Sequence, residues 1–201
     1  MTDFIQIYDN ALSSQQCSKS IEYIDNQVLV PGETGDGIYN PKSKDVQEVR
    51  PIPYLGDGTI VSEYLIQALN TYTLEYRSTY PSIDKITSWS AQSPYTLKKY
   101  DPGQGYHAVH CENTGMEVNI SRMLVWMFYF NTVTDDGGTF FPEYDRIVDA
   151  VEGRLVIWPA YWTHVHKGIV SETQTKYIAS GWYGFINESK RCKDSSIRSE
   201  S

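Results

Sequence analysis

Four segments in the second half of the chain are crowded with β-branched and aromatic residues: "YTLKKY" (95–100), "VNISRMLVWMFYFNTV" (118–133), "GRLVIWP" (153–159) and "TKYIASGWYGF" (175–185). Such side chains suit a pleated surface better than a helix. Turn signals such as "DPGQG" and "DDGG" separate them. Their glycines accept backbone conformations closed to other residues. A run of strands broken by tight turns buries its apolar faces by folding sheet against sheet. The expected architecture is an antiparallel β-sandwich or jelly roll.

The first 80 residues read differently. "FIQIYD" (4–9) alternates apolar and polar residues, as a short strand does. In "LSSQQCSKSIEYIDNQ", Ser13 or Ser14 can cap a helix whose apolar face carries Cys17, Ile21 and Ile24. "TIVSEYLIQALNTYTLEYRSTY" (59–80) spaces Val61, Tyr64, Leu65, Ala68, Leu69 and Tyr72 at helical intervals. Between these helices, residues 30–58 are rich in Gly, Pro and Asp and read as a long loop. Gly32, Gly35, Gly37 and the prolines at 51 and 53 mark it as a hinged flap. The whole is mainly β with N-terminal helices. One domain is expected, with helical support and flap over 1–80, a jelly-roll core over 85–186 and a polar, frayed tail over 187–201.

A formal charge of −8 and a pI near 5.0, with no basic run, exclude a general nucleic-acid binder. The start lacks the basic and apolar regions of a signal peptide, and no apolar run reaches about 18 residues. No membrane association is therefore expected. The cysteines are three, widely spaced and without a CxxC pair, which suits a reducing, cytoplasmic location.

All four histidines fall into two clusters, "GYHAVHCE" (105–112) and "WTHVHKG" (162–168). On a strand, i and i+2 share a face. His110 and Glu112 then point the same way, and Cys111 points away. A further ligand must come from elsewhere, and His164 and His166 are both available. Two histidines and one carboxylate on one side of a metal form the facial triad of non-heme Fe(II) oxygenases, with three positions left open.

Three segments in order resemble the prolyl 4-hydroxylase branch of the 2-oxoglutarate- and Fe(II)-dependent dioxygenases: "KKYDPGQGYHAVHCE", "SRMLVWMFYFNTVTDDGGTFFPEY" and "GRLVIWPAYWTHVHKGIVSETQTKYIASGWY". The resemblance implies a double-stranded β-helix of the cupin-like jelly-roll type. It also selects His166 as the distal ligand, because Lys167-Gly168 follows it and Lys176 lies ten residues further on. The implied triad is His110, Glu112 and His166. Two departures stand out: Glu112 occupies the usual aspartate position, and one extra residue separates Tyr106 from His110.

By the same resemblance, Lys176 holds the far carboxylate of 2-oxoglutarate, helped by Tyr100 and Thr139. Arg122, Tyr106 and Trp182 match positions in the substrate groove, and Arg50 in "EVRPIP" matches a loop position near the substrate. His107 and His164 are left for rim or supporting places. Members of the family couple oxidative decarboxylation of 2-oxoglutarate by O2 to hydroxylation of an unactivated C–H bond, and ascorbate is a further expected cofactor. A peptidyl proline is the leading substrate. A free amino acid or small metabolite is the alternative, and a metal-binding cupin without oxygenase activity is the rival class.

Overall fold

A computed structural model gives the fold and describes residues 2–34 and 37–186. Gly35 of the expected hinge and the 187–201 tail, with Cys192, lie outside the described residues. In chain order the elements are β1 (Gln6–Tyr8), α1 (Ser14–Asp25), β2 (Val28–Pro31), β3 (Lys44–Asp45), β4 (Gln47–Arg50), α2 (Ile60–Thr79), β5 (Trp89–Ala91), β6 (Thr96–Tyr100), β7 (Gly105–Tyr106), β8 (Arg122–Tyr129), β9 (Thr139–Phe141), β10 (Arg146–Val148), β11 (Leu155–Pro159), β12 (Lys167–Gly168) and β13 (Lys176–Phe185).

Both helices start where side chains can satisfy their first N–H groups. Ser13 accepts from the Gln16 amide while the Gln16 side chain accepts from the Ser13 N–H, a reciprocal cap for α1. Thr59 accepts from the Ser62 amide and caps α2.

The main sheet runs β1-β11-β8-β13-β6-β4-β2, with β5 on the far end of β13, and a smaller sheet β10-β9-β12 closes the jelly roll. Every pairing between these strands is antiparallel. The two faces of the main sheet have different tasks, and the twofold period of a strand sorts its residues between them. Leu124, Trp126 and Phe128 of β8, Leu155 and Ile157 of β11 and Ala179 of β13 pack against Cys17, Ile24, Leu65 and Leu69 of the helices. Val125, Met127, Tyr129, Val156, Trp158 and Ile178 point the opposite way, into the jelly roll, where they meet Phe141 and Val148 of the smaller sheet. A strand covered on both faces carries an unbroken apolar run, which accounts for "MLVWMFY".

Three expectations need correction. Residues 30–58 are not one loop, since they contribute β2, β3 and β4, and β4 pairs with both β2 and β6 in the main sheet. Strands of two to four residues are too short to show a period. Gly32 is not a free hinge either: a Cβ there would lie 2.5 Å from Val46 Cγ1, so the position demands close backbone approach. The strand expected from Val118 begins only at Arg122. Asn113 donates to the Ile120 and Arg122 carbonyls, and the Asn119 amide accepts from the Thr114 N–H and donates to its hydroxyl. These side-chain bonds give residues 113–121 a turn and leave Val118 and Ile120 exposed.

Among the described residues, no helix is long and apolar enough to cross a membrane, and Cys17 and Cys111 are free thiols. Gly181 faces Trp126 across the β13–β8 pairing, and a Cβ there would sit 2.2 Å from Trp126 Cζ2. Gly181→Ala should therefore overpack the helix-facing core and cost about 1–3 kcal/mol, read as a lowered midpoint in chemical denaturation.

Candidate metal centre

His110 and His166 are joined backbone to backbone by an antiparallel bridge, with bonds of 3.0 and 2.8 Å, and the Glu112 amide donates to the Ala160 carbonyl at 3.1 Å. The residues around His110 thus form a bridge and bends, not the strand expected. The i, i+2 reasoning still lands on the right pair, because an extended backbone at the bridge turns both side chains inward.

Each imidazole is locked by its own chain. His110 Nδ1 lies 3.0 Å from the Ala108 carbonyl, and His166 Nδ1 lies 3.0 Å from the His164 carbonyl. A carbonyl only accepts, so both Nδ1 atoms carry hydrogen and both Nε2 atoms keep a lone pair. Those Nε2 atoms sit 3.5 and 3.7 Å from Glu112 Oε1, and one atom from each of the three residues lies within 4.8 Å of the others. Ligands about 2.1 Å from one metal, at right angles, lie about 3 Å apart. The three donors therefore need to draw together only slightly to share an ion.

Burial alone would raise the Glu112 carboxyl, but the adjacent His110 and His166 rings hold it well below the usual carboxylate range. Burial pushes the His110 imidazole down, against the pull of Glu112. The carboxylate and neutral imidazole are the forms that bind metal.

The second oxygen of Glu112 is tied elsewhere. Trp182 Nε1–H donates to Oε2 at 2.8 Å, and Arg122 Nη1 approaches the same oxygen at 3.3 Å while its guanidinium stacks 3.6 Å from the Trp182 ring. Arg122 and Trp182 were expected as groove residues, and the structure also gives them the carboxylate to orient. Tyr106 stacks on the His110 ring at 3.6 Å between centroids. Phe141 and Trp158 pack around the His166 ring.

His110, Glu112, Tyr106 and Lys98 stand where an inner chamber opens into an outer cleft. The inner chamber, about 50 Å³, is lined further by Tyr100, Tyr129, Thr139, His166 and Lys176. The outer cleft, about 390 Å³, is lined further by Lys44, Glu48, Arg122 and Trp182. Arg50 lines neither chamber; Glu48, two residues earlier on the same face of β4, does so instead. His164 is buried away from the metal group, with Nε2 2.7 Å from the Asp3 carbonyl, and tethers the N-terminal segment. His107 is exposed and lines a separate surface groove with Lys167.

Tyr129, Lys98 and Ser180 escaped the sequence reading. Tyr129 hydroxyl and Thr139 Oγ1 are 2.7 Å apart at the chamber wall. Lys98 precedes Tyr100 by two positions on β6 and Ser180 follows Lys176 by four on β13, so the twofold period assigns them to the same inner face.

No protein-family model and no curated protein matches this sequence. Solved structures do. A prolyl hydroxylase from Trichoplax adhaerens, solved with a hypoxia-inducible-factor peptide fragment, superposes with a TM-score of 0.71 at 15% identity, covering 95% of this chain and 87% of that one. A viral collagen prolyl hydroxylase from Paramecium bursaria Chlorella virus 1, in a 2OG complex, gives 0.69 at 18% identity, covering 91% and 97%. A prolyl 4-hydroxylase from Pseudomonas putida gives 0.68 at 16%, covering 91% and 94%. The fold is that of the prolyl hydroxylases. In this prolyl-hydroxylase fold, the double-stranded β-helix, His110, Glu112, His166 and Lys176 all face one interior.

Lys176 is 5% exposed at the floor of that interior. Its Nζ donates to the Gly137 carbonyl at 2.8 Å and lies 4.7 Å from the Tyr100 ring centroid. No carboxylate among the described residues pairs with it. Burial, and then the charge of Lys98, push its ammonium from 10.5 down to about 8. The unfolded chain then binds more protons than the folded one between pH 8 and 10.5. Lys176 thus costs stability below that window, and the cost fades as pH rises through it. Lys176→Met should stabilise the ligand-free protein at pH 7 and flatten the pH dependence of its denaturation midpoint between pH 8 and 10.5.

Proposed function

We propose that the protein is a 2-oxoglutarate- and Fe(II)-dependent dioxygenase that hydroxylates a C–H bond, with a peptidyl proline as substrate. The observation that carries the reading is the pairing of two features in one interior. Two Nε2 lone pairs and one carboxylate oxygen converge there, and a buried lysine without a carboxylate partner waits beneath them. A plain metal-binding cupin needs the first feature and has no use for the second.

On this reading His110, Glu112 and His166 hold Fe(II) by one face. The bound iron and 2-oxoglutarate together supply the oxidative chemistry, with O2 as oxidant. The chain's own residues bind, orient and exclude water. Lys176 receives the far carboxylate of 2-oxoglutarate, whose charge relieves the buried ammonium. Tyr100, Tyr129 and Thr139 stand around that carboxylate as hydroxyl donors. Trp182 and Arg122 hold Glu112 Oε2, which would leave Oε1 as the oxygen free to meet a metal. The carboxylate that a halogenase must lack is present.

A peptide suits the outer side. The cleft is open, and Met116 on its wall stands half-exposed, as do Val109, Val118 and Ile120 on the same 109–120 segment. Exposed apolar side chains on this segment offer a chain contacts beyond the reacting residue. Ascorbate would serve as a reductant in uncoupled cycles.

Under anaerobic conditions, Fe(II) and 2-oxoglutarate should give a visible charge-transfer band. His110→Ala, Glu112→Ala and His166→Ala should each abolish it, and His164→Ala should keep it; the reverse result for the last two would put the distal ligand at 164. Lys176→Met should weaken 2-oxoglutarate roughly tenfold to a hundredfold, the scale of a lost charge-assisted contact.

Proline-rich peptides should stimulate succinate release above the uncoupled rate and gain one oxygen on proline by mass spectrometry. Equal hydroxylation of free proline would instead favour the metabolite reading.

A further inference from the structure

Four cations surround the two chambers, and three of them have identified partners. Lys44 donates to Glu48 Oε1 at 2.7 Å and to the Glu33 carbonyl at 2.6 Å. Arg122 is committed to Glu112 and Trp182. Lys176 spends its donors on the Gly137 and Ile169 carbonyls, and its charge faces the inner chamber only. Lys98 is the exception. Its one hydrogen bond among the described residues is to Ser180 Oγ, at 3.1 Å, and Ser180 Oγ is itself 2.9 Å from Thr96 Oγ1. An ammonium has three donors, so two remain.

The position of Lys98 matters as much as its two remaining donors. It lines both chambers, as His110 and Glu112 do, so it stands at the height of the metal group and on the side open to the cleft. On β13, Lys176, Ile178, Ser180 and Trp182 climb the inner face in steps of two from chamber floor to cleft wall. Lys98 sits opposite Ile178 and bonds to Ser180, two steps above the floor. Its neighbour Lys99 turns outward to Asp25, as the alternation requires. Burial, reinforced by Lys44, pushes the Lys98 ammonium down to about 8, against the pull of Glu48 and Glu112. Lys98 is half-buried, so a second charge is kept at the chamber mouth at a cost. The far carboxylate of 2-oxoglutarate can answer only one of the two lysines, and the floor lysine is the better placed.

We infer that Lys98, with Ser180 and Thr96, forms a subsite for a carboxylate of the substrate at the mouth of the metal chamber. This deepens the dioxygenase reading and rests on it. The carboxylate can come from two sources, the α-carboxylate of a free or C-terminal amino acid or the side chain of an acidic residue beside the target proline. Lys98 is a specificity residue on this view and takes no part in the oxidative step.

The test uses the protein loaded with Fe(II) and 2-oxoglutarate without O2, so that binding is read without turnover. Calorimetry compares N-acetylproline with N-acetylprolinamide, and acetyl-Ala-Pro-Asp-amide with its Asn counterpart. In at least one pair the charged member should bind about tenfold tighter or more. The pair that discriminates names the source. Lys98→Met should shrink that preference to less than about twofold, and Lys98→Arg should retain most of it. Methionine fills the lysine volume without the buried charge, so the variant should fold.

Three results would overturn the inference. Neither pair discriminates in the unmodified protein; or the preference survives in K98M; or K98M loses the charge-transfer band at 2-oxoglutarate concentrations that saturate the parent, which would assign Lys98 to the cosubstrate. If the unmodified protein gives no band at all, the dioxygenase reading fails. A band without charge discrimination sinks this inference alone.

Discussion

The pairing of β8 with β13 is the constraint from which the rest follows. Six residues of β13 are held in one register against β8, from Ile178 opposite Tyr129 to Tyr183 opposite Leu124, before the register shifts at Gly184. Both strands are covered on both faces, so each residue is committed to the helix layer or to the interior. A slip of one residue would turn every side chain over. Lys176, Ser180 and Trp182 would then point at helices α1 and α2, and Gly181 would no longer stand under Trp126. The clash that a Cβ at 181 would make shows how tightly this register is set. Packing on the helix side thereby fixes the chemistry on the other side.

The metal group depends on a different kind of order. Its two histidines come from segments some fifty residues apart, and the bridge between their backbones brings them together. Each ring then finds a backbone carbonyl for Nδ1, within its own segment. The tautomer is therefore settled by local chain geometry before any ion arrives. Glu112 is held from the far side by Trp182 and Arg122, which come from the two central strands. A glutamate in place of the shorter aspartate has one more rotatable bond, and these contacts limit its freedom.

The interior holds more positive charge than its own carboxylates neutralise. Burial lowers both Lys98 and Lys176 to about 8, so each keeps its positive charge at a cost. On the proposed reading, an anionic ligand in the chamber would offset that cost. The acidic surface implied by a charge of −8 does not oppose this, because Lys176 is buried and Lys98 is half-buried at the chamber mouth.

The sequence by itself determined the class of fold, because apolar runs covered on both faces and glycine-rich turns leave few alternatives to a closed antiparallel jelly roll. It also determined both helices, whose capping residues and apolar spacing are local properties. It placed His110 with Glu112 through a two-residue period, and the family resemblance of three segments pointed to His166 and Lys176. The tertiary structure decided what depends on long-range pairing. The short strands β2 and β4 exist because the β6 edge of the main sheet offers partners, and β3 because β7 does, and no period can show in two to four residues. Residues 113–121 form a turn because Asn113 and Asn119 bond to neighbouring groups, against the β-forming tendency of Val118 and Ile120. His164 was drawn to the Asp3 carbonyl, 161 positions away, and Arg50 falls outside both chambers, two residues beyond Glu48 and opposite Val28 of β2. Lys98 was visible only as half of a lysine pair. Which of the two turned inward depended on the alternation of β6 in its final register, and the charge it keeps inside is a property of the folded interior alone.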